Sequence, residues 1–142
     1  MTMSKIAIVY WSGTGNTEAM AAAVCEGAKE AGVDASVFTA AEFDASMICE
    51  YDAVAFGCPS MGAEELEDGE FAPMFESCEP NLTGKKIALF GSYGWGDGEW
   101  MRNWDAGCRN DGAVMACDFV ICNESPDDDA LNACRALGRA LV

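Results

Sequence analysis

The residues of this chain best suited to chemistry form a short loop of hydroxyl side chains and glycines, Ser12-Gly-Thr-Gly-Asn-Thr17. The apolar run before the loop ends at Trp11, and an alanine-rich segment of helical composition begins after it at Glu18. A strand, a turn of small residues and a helix N-terminus favour an anion, because backbone N–H groups and the helix dipole attract it. The sequence therefore predicts a phosphate-binding loop here.

Two common nucleotide-binding patterns do not match this loop. A Walker A loop has a lysine before its Ser/Thr, and this chain has Asn16 there. A dinucleotide fingerprint needs a third glycine where this chain has Glu18, whose charge would repel a pyrophosphate. What remains is one terminal phosphate bound by neutral donors. The alternative is a glycine-rich turn in which Thr17 caps the helix.

Two further loops carry side chains suited to a flat ring. In the segment Pro59–Glu65, Met61 offers a polarisable thioether for an aromatic face, and Glu64 can accept a hydrogen bond from a ring N–H. The segment Tyr93–Gly98 presents Trp95 between glycines, where an exposed indole favours a stacking partner. These loops predict a planar heteroaromatic ligand with a sugar-like chain and one phosphate. An acidic surface turn and a core-filling Trp95 are the alternatives.

Length and charge exclude several classes of protein. With 142 residues, 51% of them hydrophobic, the chain predicts a single α/β domain over residues 1–142. A net charge of −16 argues against nucleic acid and anionic membranes as partners and favours a basic protein partner. No apolar run is long enough to cross a membrane, and the first ten residues lack a signal-peptide pattern. We expect a cytoplasmic protein.

The cysteine and histidine content excludes further chemistry. The eight cysteines form no C-x-x-C pair and the chain has no histidine, so zinc and iron–sulfur patterns are unsupported. Cys58, Cys117 and Cys122 lie in apolar runs, where cysteine acts as a small hydrophobe. Free thiols in a reducing compartment are expected, and nucleophilic systems that depend on histidine are absent.

Apolar runs alternate with helix-like segments along the whole chain. This alternation predicts a parallel sheet with helices on both faces and a ligand site beyond the carboxyl ends of the strands. The predicted strands are Lys5–Tyr10, Ala35–Thr39, Ala53–Cys58, Lys86–Ser92 and Val114–Cys122. The predicted helices are Asn16–Ala31, Ser46–Glu50, Glu70–Glu79, Glu99–Asp111 and Asp127–Leu141. The loops expected to converge are Ser12–Thr17, Pro59–Glu70, Tyr93–Gly98 and Asn123–Pro126.

Over nearly its full length the chain resembles the short-chain flavodoxins. The residues that carry the resemblance are Ser12-Gly-Thr-Gly-Asn-Thr17, Met61-Gly62 with Glu64, Gly91-Ser-Tyr-Gly-Trp-Gly-Asp-Gly98, and Asn123. The resemblance implies a doubly wound five-stranded parallel sheet in the order 2-1-3-4-5. It also implies one non-covalent FMN and a carrier of single electrons at low potential in the cytoplasm. We expect a monomer that is not an enzyme in its own right and that serves redox proteins with basic docking surfaces.

The resemblance also implies a role for individual residues. The first loop would bind the phosphate, Met61 and Trp95 would cover the two ring faces, and Glu64 would meet the ring N3–H. The Gly62 carbonyl would turn toward the ring N5 on reduction, while many close relatives have an acidic residue where this chain has Ala63. The predicted cofactor site is Ser12, Gly13, Thr14, Gly15, Asn16, Thr17, Pro59, Ser60, Met61, Gly62, Ala63, Glu64, Ser92, Tyr93, Gly94, Trp95, Gly96 and Asn123.

Two other functions remain as alternatives on the sequence. An FMN-dependent NAD(P)H or quinone reductase of the same architecture would need a second pocket, and the sequence shows no second phosphate-binding loop. The four arginines lie outside the three main loops, and Trp95 would cover the ring face that a hydride donor needs. A binding module without a cofactor leaves the phosphate loop and Trp95 unexplained.

Overall fold

The computed structural model describes residues 5–61 and 65–142. The strands are β1 (Lys5–Tyr10), β2 (Asp34–Thr39), β3 (Ala53–Gly57), β4 (Lys86–Tyr93), β5 (Val114–Met115) and β6 (Val120–Asn123). The α-helices are α1 (Asn16–Glu30), α2 (Phe71–Cys78), α3 (Glu99–Asn110) and α4 (Asp128–Ala140). Short 3-10 helices cover Ala40–Glu42, Ala45–Glu50 and Glu79–Asn81. Within the described residues, no helix is long and apolar enough to cross a membrane.

The strands form one parallel sheet in the order β2-β1-β3-β4-β5, with β6 also paired to β4. Ile6 of β1 lies beside Ala35 of β2 on one side and Ala53 of β3 on the other. Strand β3 is buried along its whole length, since helices cover both faces of the sheet. The predicted fold class and strand order are confirmed.

The fifth strand differs from its prediction. The sequence favours one strand from Val114 to Cys122, whereas the structure divides it into β5 and β6, which pair with the two ends of β4. Ile87 pairs with Met115 and Phe90 pairs with Val120, so the edge segment uses two more residues than β4 over the same span. The additional residues form a bulge, a common device at a sheet edge.

Successive residues of the central strands point into two separate cores. Ala7 and Val9 of β1 belong to a core that α2 and α3 cover, where Phe56 packs edge to face on Phe75 at 5.1 Å. Ile6 belongs to a second core on the other face, under α1 and α4. Successive side chains of a strand point to opposite faces of the sheet, and both faces are buried here. This explains why the central strands are apolar without interruption.

Helices α1 and α4 pack closely on that second face. The backbones meet at Gly27, where an added Cβ would lie 2.0 Å from the carbonyl oxygen of Arg135. At the margin of this contact Arg135 pairs with Glu26 at 3.0 Å. This packing fixes the helix whose first turn borders the loop after β1.

Most predicted helix ends agree with the structure to within a residue or two. Gly32 follows α1 with φ of +88°, and Asp127 caps α4 by accepting a hydrogen bond from the Ala130 N–H at 2.8 Å. The predicted helix at Ser46–Glu50 is a 3-10 helix. Helix α2 begins at Phe71 because the Glu67 carboxylate accepts hydrogen bonds from the backbone N–H groups ahead of it, including that of Phe71 at 2.8 Å.

Candidate cofactor site

The loops that follow β1, β3, β4 and β6 surround a cavity of about 520 Å³ at the carboxyl edge of the sheet. This volume lies within the usual range of roughly 300–1,000 Å³ for small-ligand sites. The cavity is lined by Trp11, Gly13, Thr14, Asn16, Pro59, Ser60, Met61, Ser92, Tyr93, Gly94, Glu124 and Ser125. Parallel strands bring loops that are distant in sequence to the same edge, as the sequence predicts.

The loop after β1 has the geometry of an anion-binding turn. Gly15, at the N-cap of α1, adopts φ of 95°, a left-handed conformation that glycine accepts without strain. The Ser12 hydroxyl accepts a hydrogen bond from the Gly15 N–H at 3.0 Å. The first N–H groups of α1 have no partner within the helix and carry the positive end of its dipole. The turn can therefore bind a phosphate without a basic side chain.

Thr17 does not cap the helix, contrary to the simpler interpretation of the loop. It lies in the first turn of α1 and is 1% exposed, and its hydroxyl forms a 3.0 Å hydrogen bond with that of Ser92. Ser92 is 5% exposed and lies near the end of β4. The bond joins the first turn of α1 to the end of β4, where Ser92 lines the cavity.

Ser60 supplies evidence that the cavity is built for a polar ligand. Ser60 lines the cavity, and its hydroxyl oxygen is buried and has no hydrogen-bond partner among the described residues. A buried unpaired hydroxyl is unfavourable unless a ligand or water completes it. With the amide turn at Gly15 and a cavity of this size, the residues present fit a flavin mononucleotide.

Met61 lies in the cavity wall, and Trp95 lies outside it. Met61 is 38% exposed and exchanges two backbone hydrogen bonds with Glu65, at 2.8 and 2.9 Å. The predicted site residues Gly62, Ala63 and Glu64 lie outside the described residues. Trp95 is 60% exposed on a loop that contains two glycines with positive φ, Gly96 and Gly98.

The structure gathers half of the predicted site residues around the cavity. Those in its lining are Gly13, Thr14, Asn16, Pro59, Ser60, Met61, Ser92, Tyr93 and Gly94. The predicted residues Ser12, Gly15, Thr17, Trp95, Gly96 and Asn123 belong to the same loops without lining it. Asn123 lines a neighbouring cavity of about 430 Å³, together with Ser125.

Sequence reasoning missed three lining residues: Trp11, Glu124 and Ser125. The sequence places Trp11 at the end of an apolar run, just after the predicted strand Lys5–Tyr10, whereas in the structure its ring lies against Gly13, 3.0 Å from the position of an added Cβ. Glu124 has φ of 58°, rare for a residue with a side chain, and its N–H donates to the Tyr93 carbonyl at 2.7 Å. The loop after the last strand was expected at this edge, which is the feature that could have identified both residues there.

The described lining of the cavity carries neutral and acidic side chains, and the nearby Cys58 and Tyr10 are protonated near neutral pH. None of the described residues that line the cavity is basic, and Glu124 is acidic. Burial raises the pKa of the Cys58 thiol to about 12, so this cysteine at the end of β3 is not a thiolate near neutral pH. Burial and the hydrogen bond to Glu18 raise the pKa of Tyr10, which keeps this phenol neutral.

A doubly wound sheet with a neutral phosphate turn and an open, aromatic cavity at its carboxyl edge defines a mononucleotide-binding α/β protein. The flavodoxin family model matches residues 8–138. Flavodoxin from Megasphaera elsdenii is 44% identical over 95% of this chain and 96% of the relative. Flavodoxin from Clostridium beijerinckii is 40% identical over 95% of this chain and 97% of the relative.

The comparison of structures agrees with the comparison of sequences. The solution structure of two-electron reduced Megasphaera elsdenii flavodoxin has a TM-score of 0.88, with 44% identity over 96% of this chain and 97% of that chain. The chain belongs to the flavodoxin family. It is an electron carrier whose cofactor is FMN, and its partners are redox proteins.

Proposed function

We propose that this protein carries single electrons at low potential between redox enzymes and is not an enzyme in its own right. The observation that carries the proposal is the open cavity, with Met61 in its wall and the exposed indole of Trp95 beside it. A ring bound there would lie at the protein surface, where electrons can reach it from a docked partner. Bound FMN supplies the redox chemistry, and the chain supplies binding, orientation and electrostatics.

The residues of the cavity divide into two groups by what they would bind. Thr14, Asn16 and the amides at the start of α1 would bind the phosphate, with Ser12 released from Gly15 as a further donor. Ser60 would donate its unpaired hydroxyl to the ring or its side chain. Met61 would pack on one ring face and Trp95 would close over the other when its glycine-flanked loop moves.

The surface charge favours a low potential. The chain has 24 acidic and 8 basic residues, so adding an electron to the cofactor works against the field of the protein. One charge at about 12 Å in water-like dielectric costs only about 0.3 kcal/mol, and salt reduces it further. Many charges acting together would contribute about 1–2 kcal/mol, comparable with contacts at the ring.

The net charge, the free cysteines and the shared sheet support further statements about the partner, the oligomeric state, the location and the domain. A basic docking surface on the partner would speed encounter, and repulsion between copies of a −16 chain supports a monomer. All eight cysteines lie in the described part of the chain and each is a free thiol, which supports the cytoplasm as its location. Residues 1–142 would form a single domain, with both cores built on one sheet.

A titration with flavins tests the proposal. The apo-protein should bind one FMN and bind riboflavin much more weakly, because the turn at Gly15 would bind the phosphate that riboflavin lacks. Equal affinities for FMN and riboflavin would show that the loop after β1 does not bind the phosphate. Stepwise anaerobic reduction should resolve two one-electron steps, and the purified holoprotein should not oxidise NADPH. Steady oxidation of NADPH would favour the reductase alternative instead.

A further inference from the structure

Two smaller cavities lie on the α2 side of the cofactor cavity, one at the segment before α2 and one between α2 and α3. The first, about 260 Å³, shares Trp11 and Met61 with the cofactor cavity and extends to Leu66. The second, about 210 Å³, begins at Leu66 and lies between α2 and α3. These two cavities are called the α2–α3 groove below. The groove therefore borders the cofactor site at Trp11 and Met61.

The far end of the α2–α3 groove has a buried donor that lacks a partner. Trp104 lines the second cavity and is 6% exposed, and its indole Nε1 has no hydrogen-bond partner among the described residues. The indole packs edge to face on Phe75 at 5.5 Å and on Phe71 at 5.4 Å. Because a buried N–H without an acceptor costs about 1–3 kcal/mol, a ligand that brings an acceptor would be favoured.

The rim of the groove is acidic along its length. Carboxylates of Glu65 and Asp68 line the first cavity, and that of Glu76 lines the second. None of the described residues that line the two cavities is basic. An anionic ligand would be repelled, and a simple cation would leave Trp104 unpaired.

A basic polypeptide satisfies both requirements at once. Its backbone carbonyl can accept a hydrogen bond from an indole N–H, and its lysine or arginine side chains can pair with the carboxylates. The aromatic and aliphatic floor, formed by Leu66, Phe75 and Trp104, suits the apolar stem of such a side chain.

We propose that the α2–α3 groove binds an extended basic segment of the redox partner, with one of its backbone carbonyls accepting a hydrogen bond from Trp104 Nε1. This inference rests on the proposed function, since it concerns the protein that exchanges electrons with the cofactor. The groove begins at Trp11 and Met61, so a segment bound in it would hold the partner next to the ring.

Nuclear magnetic resonance of the FMN-loaded protein tests the proposal. The probe is a capped nine-residue peptide of alternating lysine and alanine. The Trp104→Phe variant keeps an aromatic ring and identifies the Trp104 resonance among the four indole N–H signals by its loss. The peptide should move this resonance downfield, as expected when an N–H gains an acceptor, and Trp104→Phe should weaken peptide binding about five-fold.

A matched pair of charge variants separates the groove from general attraction to an acidic protein. Asp68→Asn with Glu76→Gln removes two exposed groove carboxylates. Asp34→Asn with Glu50→Gln removes one exposed aspartate and one exposed glutamate elsewhere on the surface. The groove variant should weaken peptide binding about five-fold, and the control variant less than two-fold.

Three results would overturn the proposal. The first is a Trp104 indole resonance that does not move when the peptide is saturating. This result would be expected if the indole N–H remained against a phenylalanine ring. The second is equal weakening by the two charge variants. The third is a Trp104 shift that depends on protein concentration without peptide, which would assign the groove to a second copy of the chain. Failure of the cofactor site itself is detected separately, because a protein that does not bind FMN would lack the visible spectrum of bound flavin.

Discussion

Thr17 on α1 and Ser92 on β4 share a 3.0 Å hydrogen bond between their side-chain hydroxyls across a separation of 75 residues. Both side chains are buried, at 1% and 5% exposure, and Ser92 also lines the cofactor cavity. The bond holds the first turn of α1 against the end of β4. Two of the loops that surround the cofactor cavity are therefore fixed to one another by a single buried pair.

Removal of either hydroxyl should destabilise the protein by more than the net contribution of the hydrogen bond, because the other hydroxyl stays buried without a partner. Thr17→Val keeps the shape of the side chain but leaves the Ser92 hydroxyl buried without its partner, so the free energy of unfolding should fall by about 1–3 kcal/mol. Ser92→Ala should do the same, and the double variant should lose less than the sum of the two. Urea unfolding of the apo-proteins measures all three. Additive losses would mean that the two hydroxyls do not interact.

The crossing of α1 and α4 predicts a second stability effect. An added Cβ at Gly138 would lie 2.0 Å from the Val24 carbonyl oxygen, and Gly27 faces α4 with the same clearance. Gly27→Ala and Gly138→Ala should each lower the free energy of unfolding by about 1–3 kcal/mol, because the helices must separate. Gly107→Ala is the matched control, since that position in α3 has no such neighbour. It should stabilise by about 0.5–1 kcal/mol in the same urea experiment. Equal effects at the three positions would contradict the close crossing.

Trp95 should affect the cofactor without affecting the fold. Because its side chain is 60% exposed, Trp95→Ala should leave the stability of the apo-protein within about 0.5 kcal/mol of the parent. Loss of the ring contact should weaken FMN binding by about 1–3 kcal/mol, as measured by quenching of flavin fluorescence. Trp95→Phe should recover part of the affinity. An unchanged dissociation constant in Trp95→Ala would place this indole away from the ring.

Glu79 predicts a dependence of stability on pH. Burial, and then a hydrogen bond with the Asp111 carboxyl, raises the pKa of Glu79 from its ordinary value of 4.5 to about 7. The folded state therefore binds this proton more tightly than the unfolded state, so the contribution is complete below about pH 4.5 and is lost as the pH rises through 7. Glu79→Gln keeps a donor for Asp111 and removes the titration.

The variant should therefore exceed the parent in stability by about 1 kcal/mol at pH 8 and by much less at pH 5, after allowance for solvent screening. Urea unfolding at the two pH values checks this, with Glu50→Gln as the control, because Glu50 is exposed and is not among the groups that raise the pKa of Glu79. A difference of the same size at pH 5 and pH 8 would show that Glu79 titrates normally.

Local features of the sequence were sufficient for the elements and for the phosphate turn. Gly32 ends α1 and Asp127 begins α4, because a left-handed residue and a side-chain acceptor act within one helical turn. The alternation of strands and helices was sufficient for a parallel sheet, which in turn places the loops after its strands at one edge.

Tertiary packing decided what no local pattern encodes. The division of the fifth strand depends on its register against β4, the partner of Thr17 lies 75 residues away, and Trp104 is unpaired only because α2 and α3 enclose it. The sequence by itself determined which segments are helices and strands and which loop can bind a phosphate, because those depend on neighbours within a few residues. The three-dimensional structure decided which hydroxyls meet and where the cavities lie, because those contacts form only when distant segments are brought together.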